Sequence, residues 1–225
     1  MIKDIIKIFK NHTLMDQAYE RTYEMIDITS DMYKEIRNRL RFDADYQFSF
    51  DIRNQDIAIN KYEREVRRNV FNHLCVSGME DLTSGLILVS IIIDIERIGD
   101  YTKNMVELAE SINKVLKGGK FEKDLHKVEI AVEDTFKRVR ELLEKADDKM
   151  AEQLLKEYKW VNKVCDMHVH DLLNKKKTKI SSAKAVALSL YFRYLKRINS
   201  HLRNIASSVV NPFPRIGFKV KKENN

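Results

Sequence analysis

The chain is poor in helix breakers. Of its 225 residues only two are proline, Pro212 and Pro214, and six are glycine. A proline ring removes a backbone donor and clashes with the preceding turn, so on that ground nothing before Asn211 is barred from being helical. Cysteine is as scarce: Cys75 and Cys165 stand far apart with no CxxC pair. That excludes a zinc ribbon or a thioredoxin-type motif, and two scattered thiols fit a reducing compartment. Long apolar runs are missing too. The longest, Gly85 to Ile93, falls well short of the ~20 residues needed to cross a bilayer. The start, Met1-Ile2-Lys3-Asp4, has an early acid and no cleavage site, so no signal peptide is read. The expectation is a cytoplasmic protein, with at most a peripheral place at the inner face of a membrane.

What remains is apolar and charged in helical alternation. Hydrophobic residues make up 44% of the chain, enough for a real core, and the 33% that are charged exceed the usual share of about a quarter. The net charge of +7 would suit nucleic acid or an anionic surface. Acids and bases are interleaved along most of the chain, however, which reads as solvated helix faces. Basic residues concentrate only in Lys175-Lys176-Lys177 with Lys179, and in Arg215, Lys219, Lys221 and Lys222. No DNA-binding motif accompanies them, so no nucleic-acid partner is expected.

Apolar residues at helical spacing place six helices: about 14–40, 54–75, 81–116, 122–145, 150–173 and 183–210. The third is expected to end at Gly118-Gly119 and the sixth to be capped by Ser181 or Ser182. Three helices, a Gly-Gly junction and three more suggest a duplicated unit. A shift of 100 aligns Leu88, Arg97, Ile98 and Asn104 with Leu188, Arg197, Ile198 and Asn204, and a shift of 102 aligns Asn60-Lys61 with Asn162-Lys163. The fold class is therefore all-α: six helices as two tandem antiparallel three-helix bundles. The first repeat spans 1–117, the second 120–210, and 211–225 is a basic, flexible tail. The first ten residues, with Ile2, Ile5, Ile6, Ile8 and Phe9, form a short apolar segment suited to packing on the bundle end or to a homodimer contact, and less so to touching a membrane or partner.

The third helix carries the densest polar information. Glu96 and Asp100 lie four residues apart, on one helix face, with Asn104 one turn further on. Acids at the end of so apolar a helix need a partner, either a cation or a basic residue such as Arg97, Lys196 or Arg197. Asp56 and Asn60 on the second helix are further oxygen donors, so the candidate metal ligands are Glu96, Asp100, Asp56, Asn60 and Asn104. Such donors suit hard cations, magnesium, calcium, manganese or iron; zinc stays open. The Glu-x-x-His signature of di-iron bundles is absent, which leaves a redox di-iron enzyme without support, and a metal-dependent hydrolase lacks ligands. His168 and His170, two apart, point to different faces and do not chelate. His201 borders the second-half echo, and His73 and His126 have no evident partner. Gly118-Gly119-Lys120 follows no strand and is no phosphate loop. No catalytic residue is identified, and the methionines and tyrosines read as core filler.

The stretch Asp94-Ile95-Glu96-Arg97-Ile98-Gly99-Asp100 with Asn104 resembles the acidic helix of the PhoU family of phosphate-signalling regulators. Asp56-Ile57-Ala58-Ile59-Asn60-Lys61-Tyr62-Glu63 resembles that family's second-helix pattern, and Tyr194 to His201 with Asn204 sits where the family has its second copy. The resemblance implies two side-by-side three-helix bundles and a non-enzymatic regulator of phosphate uptake. It further implies contact with a membrane phosphate transporter or its sensor kinase and, in some members, metal bound at the acidic motifs. Alternatives are a PhoU-like domain of a sodium/phosphate cotransporter system, or a metal-binding bundle with an unrelated role. The second copy departs from the pattern. Lys196 and Ser200 replace its acids and Tyr158 stands where Asp56 would be, so at most one metal site, in the first half, is implied. Arg97, Arg197 and Asn204 are assigned to tying the halves together or meeting a partner.

Overall fold

The computed structural model describes residues 13–77, 79–174 and 180–219, and no strand occurs among them. The N-terminal apolar segment, Gly78, the basic run Lys175–Lys179, and Lys221 and Lys222 lie outside the described residues. The first bundle is α1 (Leu14–Arg41), α2 (Ile52–Ser77) and α3 (Leu82–Ile112); the second is α4 (Glu122–Lys145), α5 (Asp148–Glu157), α6 (Lys159–Leu173) and α7 (Ser182–Val210). α5 and α6 are two segments of one rod, so the expected layout of six rods holds.

Local chemistry sets the ends. Thr13 opens α1 with a reciprocal cap: its hydroxyl accepts from Asp16 N at 3.1 Å, and the Asp16 carboxylate accepts from Thr13 N at 2.9 Å. Ser181 accepts from Lys184 N to start α7, as expected. α3 stops at Ile112, earlier than the Gly-Gly junction suggests. Asn113 takes the left-handed conformation (φ 42°, ψ 38°) and ends the helix there.

A single rod was expected over 150–173, but it breaks at Tyr158 (φ −98°, ψ 18°). The Tyr158 hydroxyl donates to Asp134 Oδ2 at 2.7 Å, and the Arg138 guanidinium lies 5.7 Å from its ring centroid. Burial, then the Asp134 hydrogen bond, push its pKa up to about 12. A tertiary anchor on α4, and no glycine or proline, marks this break. The tail also differs from expectation. Asn211 Nδ2 donates to the carbonyls of Arg215 and Phe218, and Gly217 N donates to Ser207 Oγ at 2.7 Å, so Asn211 to Phe218 folds back on the end of α7.

Within the first bundle α2 and α3 approach closely over two glycines. A Cβ at Gly85 would stand 2.9 Å from Val70 Cγ1, and one at Gly99 3.1 Å from Ile59 Cδ1. Between the bundles, α3 lies along α7 and α1 along α4. On the α3–α7 seam Asp94 meets His201 and Asn204, while Tyr101 meets Tyr194 and Arg197. Numbers rise on one helix as they fall on the other, so the two run antiparallel.

The α1–α4 contact holds a buried charge pair. Arg41, on the last turn of α1 and 2% exposed, donates from Nε to Glu129 Oε1 at 2.6 Å; Glu129 is 1% exposed. The other guanidinium nitrogens bond Glu122 and the Leu116 carbonyl. Tyr191 on α7 donates to Glu129 Oε1 at 2.7 Å, and Tyr33 to the Glu129 carbonyl at 3.2 Å. Burial, followed by the Glu129 charge, raises the pKa of both tyrosines well above 10.0 and keeps them as donors. Removing one partner of such a pair strands the other in a medium that cannot solvate it. Glu129→Ala should therefore lower stability by about 3–5 kcal/mol, read as a shifted urea midpoint; a loss under about 1 kcal/mol would show that water reaches Arg41.

Candidate functional site

Three of the five candidate ligands come together on the α2–α3 face, and a lysine is already among them. Lys103 Nζ lies 2.9 Å from Asp56 Oδ2 and 3.5 Å from Asp100 Oδ1. The spacing explains it: Lys103 is one turn beyond Asp100 on α3, and Asp56 sits across the narrow Gly99 crossing on α2. Hydrogen bonding to Asp56 raises the Lys103 pKa against the opposing effect of burial.

Glu96 makes no bond to Lys103 among the described contacts. Its nearest cation is Arg97 Nε at 3.6 Å. Burial first, and then the neighbouring Asp100 carboxylate, raise the Glu96 pKa, with smaller contributions from Glu63 and Asp56. Asn60 turns back on its own helix, its Nδ2 donating to the Asp56 carbonyl at 2.9 Å. Asn104 is half-buried on α3. No group of three or more His, Cys, Asp or Glu arranged to hold a metal occurs among the described residues. The oxygen donors have the right chemistry for a hard cation, but the position between Asp56 and Asp100 is held by the Lys103 ammonium.

The residues expected to tie the halves together divide. Arg97 stays on its own helix, bonded to Asp100 Oδ2 at 3.1 Å and more than half exposed, so it does not cross. Arg197 does cross, donating to the Tyr101 hydroxyl at 3.0 Å rather than to an acid. Asn204 also crosses, donating to Asp94 Oδ1 at 3.2 Å. A further link was not anticipated: His201 Nδ1 sits 2.6 Å from the same Asp94 oxygen and its ring stacks on Tyr101. Lys196 pairs with Asp166 on α6 at 2.6 Å and leaves the first-half acids alone.

Two further histidines, His168 and His73, are structural. His168 is buried between Phe121 and Phe192 with Nε2 3.0 Å from Asp124, and His73 Nε2 lies 2.8 Å from Asp81. Burial pushes the Cys165 thiol up to about 12, which leaves it inert at neutral pH.

The acid cluster has a measurable sign. A carboxylate whose folded pKa is raised costs stability wherever it is ionised, and that cost fades as pH falls through the carboxylate range. Glu96→Gln should therefore be more stable than wild type at pH 7, with the gap closing toward pH 4. Equal urea midpoints at pH 7 would mean that Arg97 already neutralises Glu96.

Comparison with known proteins follows the same outline. The PhoU domain matches twice, over residues 22–109 and 127–209. The crystal structure of PhoU from Pseudomonas aeruginosa superposes with a TM-score of 0.78 at 20% identity, covering 88% of this chain and 95% of that one. The phosphate transport system regulatory protein PhoU from Streptococcus pneumoniae superposes with a TM-score of 0.75 at 15% identity, covering 87% and 93%. These likenesses show a shared fold. No curated protein sequence matches the chain. With the domain matched over most of its length, once in each bundle, this chain belongs to the PhoU family.

Proposed function

We propose that the protein is a non-enzymatic adaptor that regulates phosphate uptake by docking on a membrane phosphate transporter or its sensor kinase. The observation that carries this is the double PhoU domain match, one copy per bundle, in a family of regulators of phosphate transport. No helix among the described residues is long and apolar enough to cross a membrane, so the reading places the transporter in a partner chain. The working site is cytoplasmic, against the inner membrane face, and a homodimer is part of the proposal.

Affinity capture of the tagged full-length chain from phosphate-rich and phosphate-starved cells tests this directly. A transporter subunit or sensor kinase should be recovered in amounts that change with phosphate. Recovery of neither, with unaltered phosphate uptake on deletion, would sink the adaptor reading. Within it, the α2–α3 face is the contact surface: Glu96→Ala with Asp100→Ala should deregulate uptake in phosphate-replete cells while circular dichroism stays that of the wild type.

A metal-stiffened version of the same adaptor is favoured by one observation, the Glu96 pKa raised by burial and by the neighbouring Asp100 carboxylate against only partial relief from Arg97. Iron, zinc, manganese, magnesium or calcium would take oxygen donors from Asp56, Glu96 and Asp100 in competition with Lys103 and would add a fixed charge between α2 and α3. Lys103→Gln should then bind Mn²⁺ about threefold more tightly than wild type, the worth of one displaced part-exposed ion pair. Equal, weak binding by both would remove the metal from the proposal.

A further inference from the structure

The second bundle carries a cleft at the place that corresponds, by the internal repeat, to the acid cluster of the first. A shift of 100 takes Lys103 to Arg203 and Asp100 to Ser200, and a shift of 102 takes Asp56 to Tyr158. The cation has been kept and its acids have gone. Arg203 is half-buried, and among the described residues its Nη1 donates to the Leu155 carbonyl at 2.8 Å. Burial alone lowers the Arg203 pKa, with no carboxylate opposing it. Lys103 faces the reverse balance, with two acids and one ammonium.

Around Arg203 the cleft measures about 960 Å³ and is lined by the α5–α6 junction, α7 and the folded-back tail. Lys159 and Lys219 line it as well, both exposed and without an ion pair among the described residues. Its acid, Glu152, is taken by Lys156 at 2.9 Å. Three positive charges thus face the cleft without internal neutralisation, together with Ser200 and Asn162, which are already bonded to each other at 2.9 Å. The tail is fixed there by Asn211 and by Gly217, whose positive φ of 83° brings it against the Asn204 side chain.

We propose that this cleft binds a phosphoryl oxyanion, with Arg203, Lys159 and Lys219 as its ligands. A half-buried guanidinium is stabilised by an anion that brings its own charge, and Arg presents a donor fork matched to tetrahedral oxyanions. Three cations favour a multiply charged phosphoryl group over a carboxylate. The proposal does not depend on the adaptor reading; a chain that met no transporter would satisfy it equally.

The test is calorimetric titration of the full-length chain at constant ionic strength with inorganic phosphate and, separately, pyrophosphate. The fluorescence of Trp160, the chain's one tryptophan, next to Lys159, serves as a second readout. One saturable site per chain is expected. Arg203→Met should weaken it about tenfold, the loss of a charge-assisted hydrogen bond, and Lys159→Gln with Lys219→Gln should weaken it by a similar factor. Saturation by phosphate identifies free phosphate as the ligand, and saturation by pyrophosphate alone identifies the end of a longer phosphoanhydride. If Arg203→Met fails to fold, the double lysine variant decides, since both positions are exposed. Absence of saturable binding for either anion, or wild-type affinity in the double lysine variant, overturns the proposal.

Discussion

Arg41 leaves the first bundle to end inside the second, and the relation of the two halves hangs on that crossing. A guanidinium so deeply buried is tolerable only with its charge and donors met. Glu129, Glu122 and the Leu116 carbonyl meet them together. Because Glu129 also accepts from Tyr191 on α7, the same carboxylate fixes three rods from two repeats. Hydrophobic burial alone would let two apolar bundles settle at several angles. A directional charged node admits one, and the α3–α7 seam, with its paired Asp94 and His201, is laid down in the register this leaves.

Each repeat also has to find counter-charges for a cation at the same position of its third helix. In the first, Lys103 draws on Asp56 and Asp100 and the balance is internal. Glu96, a turn before Asp100, is left in excess acid and marks the face where an outside cation or a basic partner surface gains most. In the second, the matching cation is Arg203 and the acids are a tyrosine and a serine. The two halves share a backbone plan and have opposite electrostatic needs.

Much of this was legible in the sequence where the determinants are local. The apolar period of α4 gives its limits, 122–145, as found, and Ser181 announces the start of α7. The shared face of Glu96 and Asp100 follows from their four-residue helical spacing, whereas Asp56 joins them in the sequence only through the family resemblance. The rest depends on contacts between residues distant in the chain. Lys103 reads as one more solvated lysine until α2 packs across Gly99 and brings Asp56 to it. Arg41 and Glu129 are 88 positions apart, and neither carries a motif. The break at Tyr158 has no glycine or proline to signal it because its cause is Asp134 on another helix. The tail, basic and holding both prolines, reads as an exit; the Asn211 side chain, bonding two carbonyls, turns it back. Arg97 and Arg197 occupy equivalent positions, yet only the second finds an aromatic hydroxyl across the seam.

The antiparallel α3–α7 seam has the form of a self-complementary contact. Exchange the two helices by the repeat, and the pair Asp94–His201 becomes Tyr194–Tyr101, which is also a contact, its ring centroids 6.2 Å apart. In a dimer of separate, identical subunits these two places would have to be the same, because symmetry copies every residue. Joining the halves in one chain removes that obligation. One of the two places has become an acid–histidine bond and the other a tilted pair of tyrosine rings, so a joint that began as two like contacts now holds the halves by two different kinds of contact.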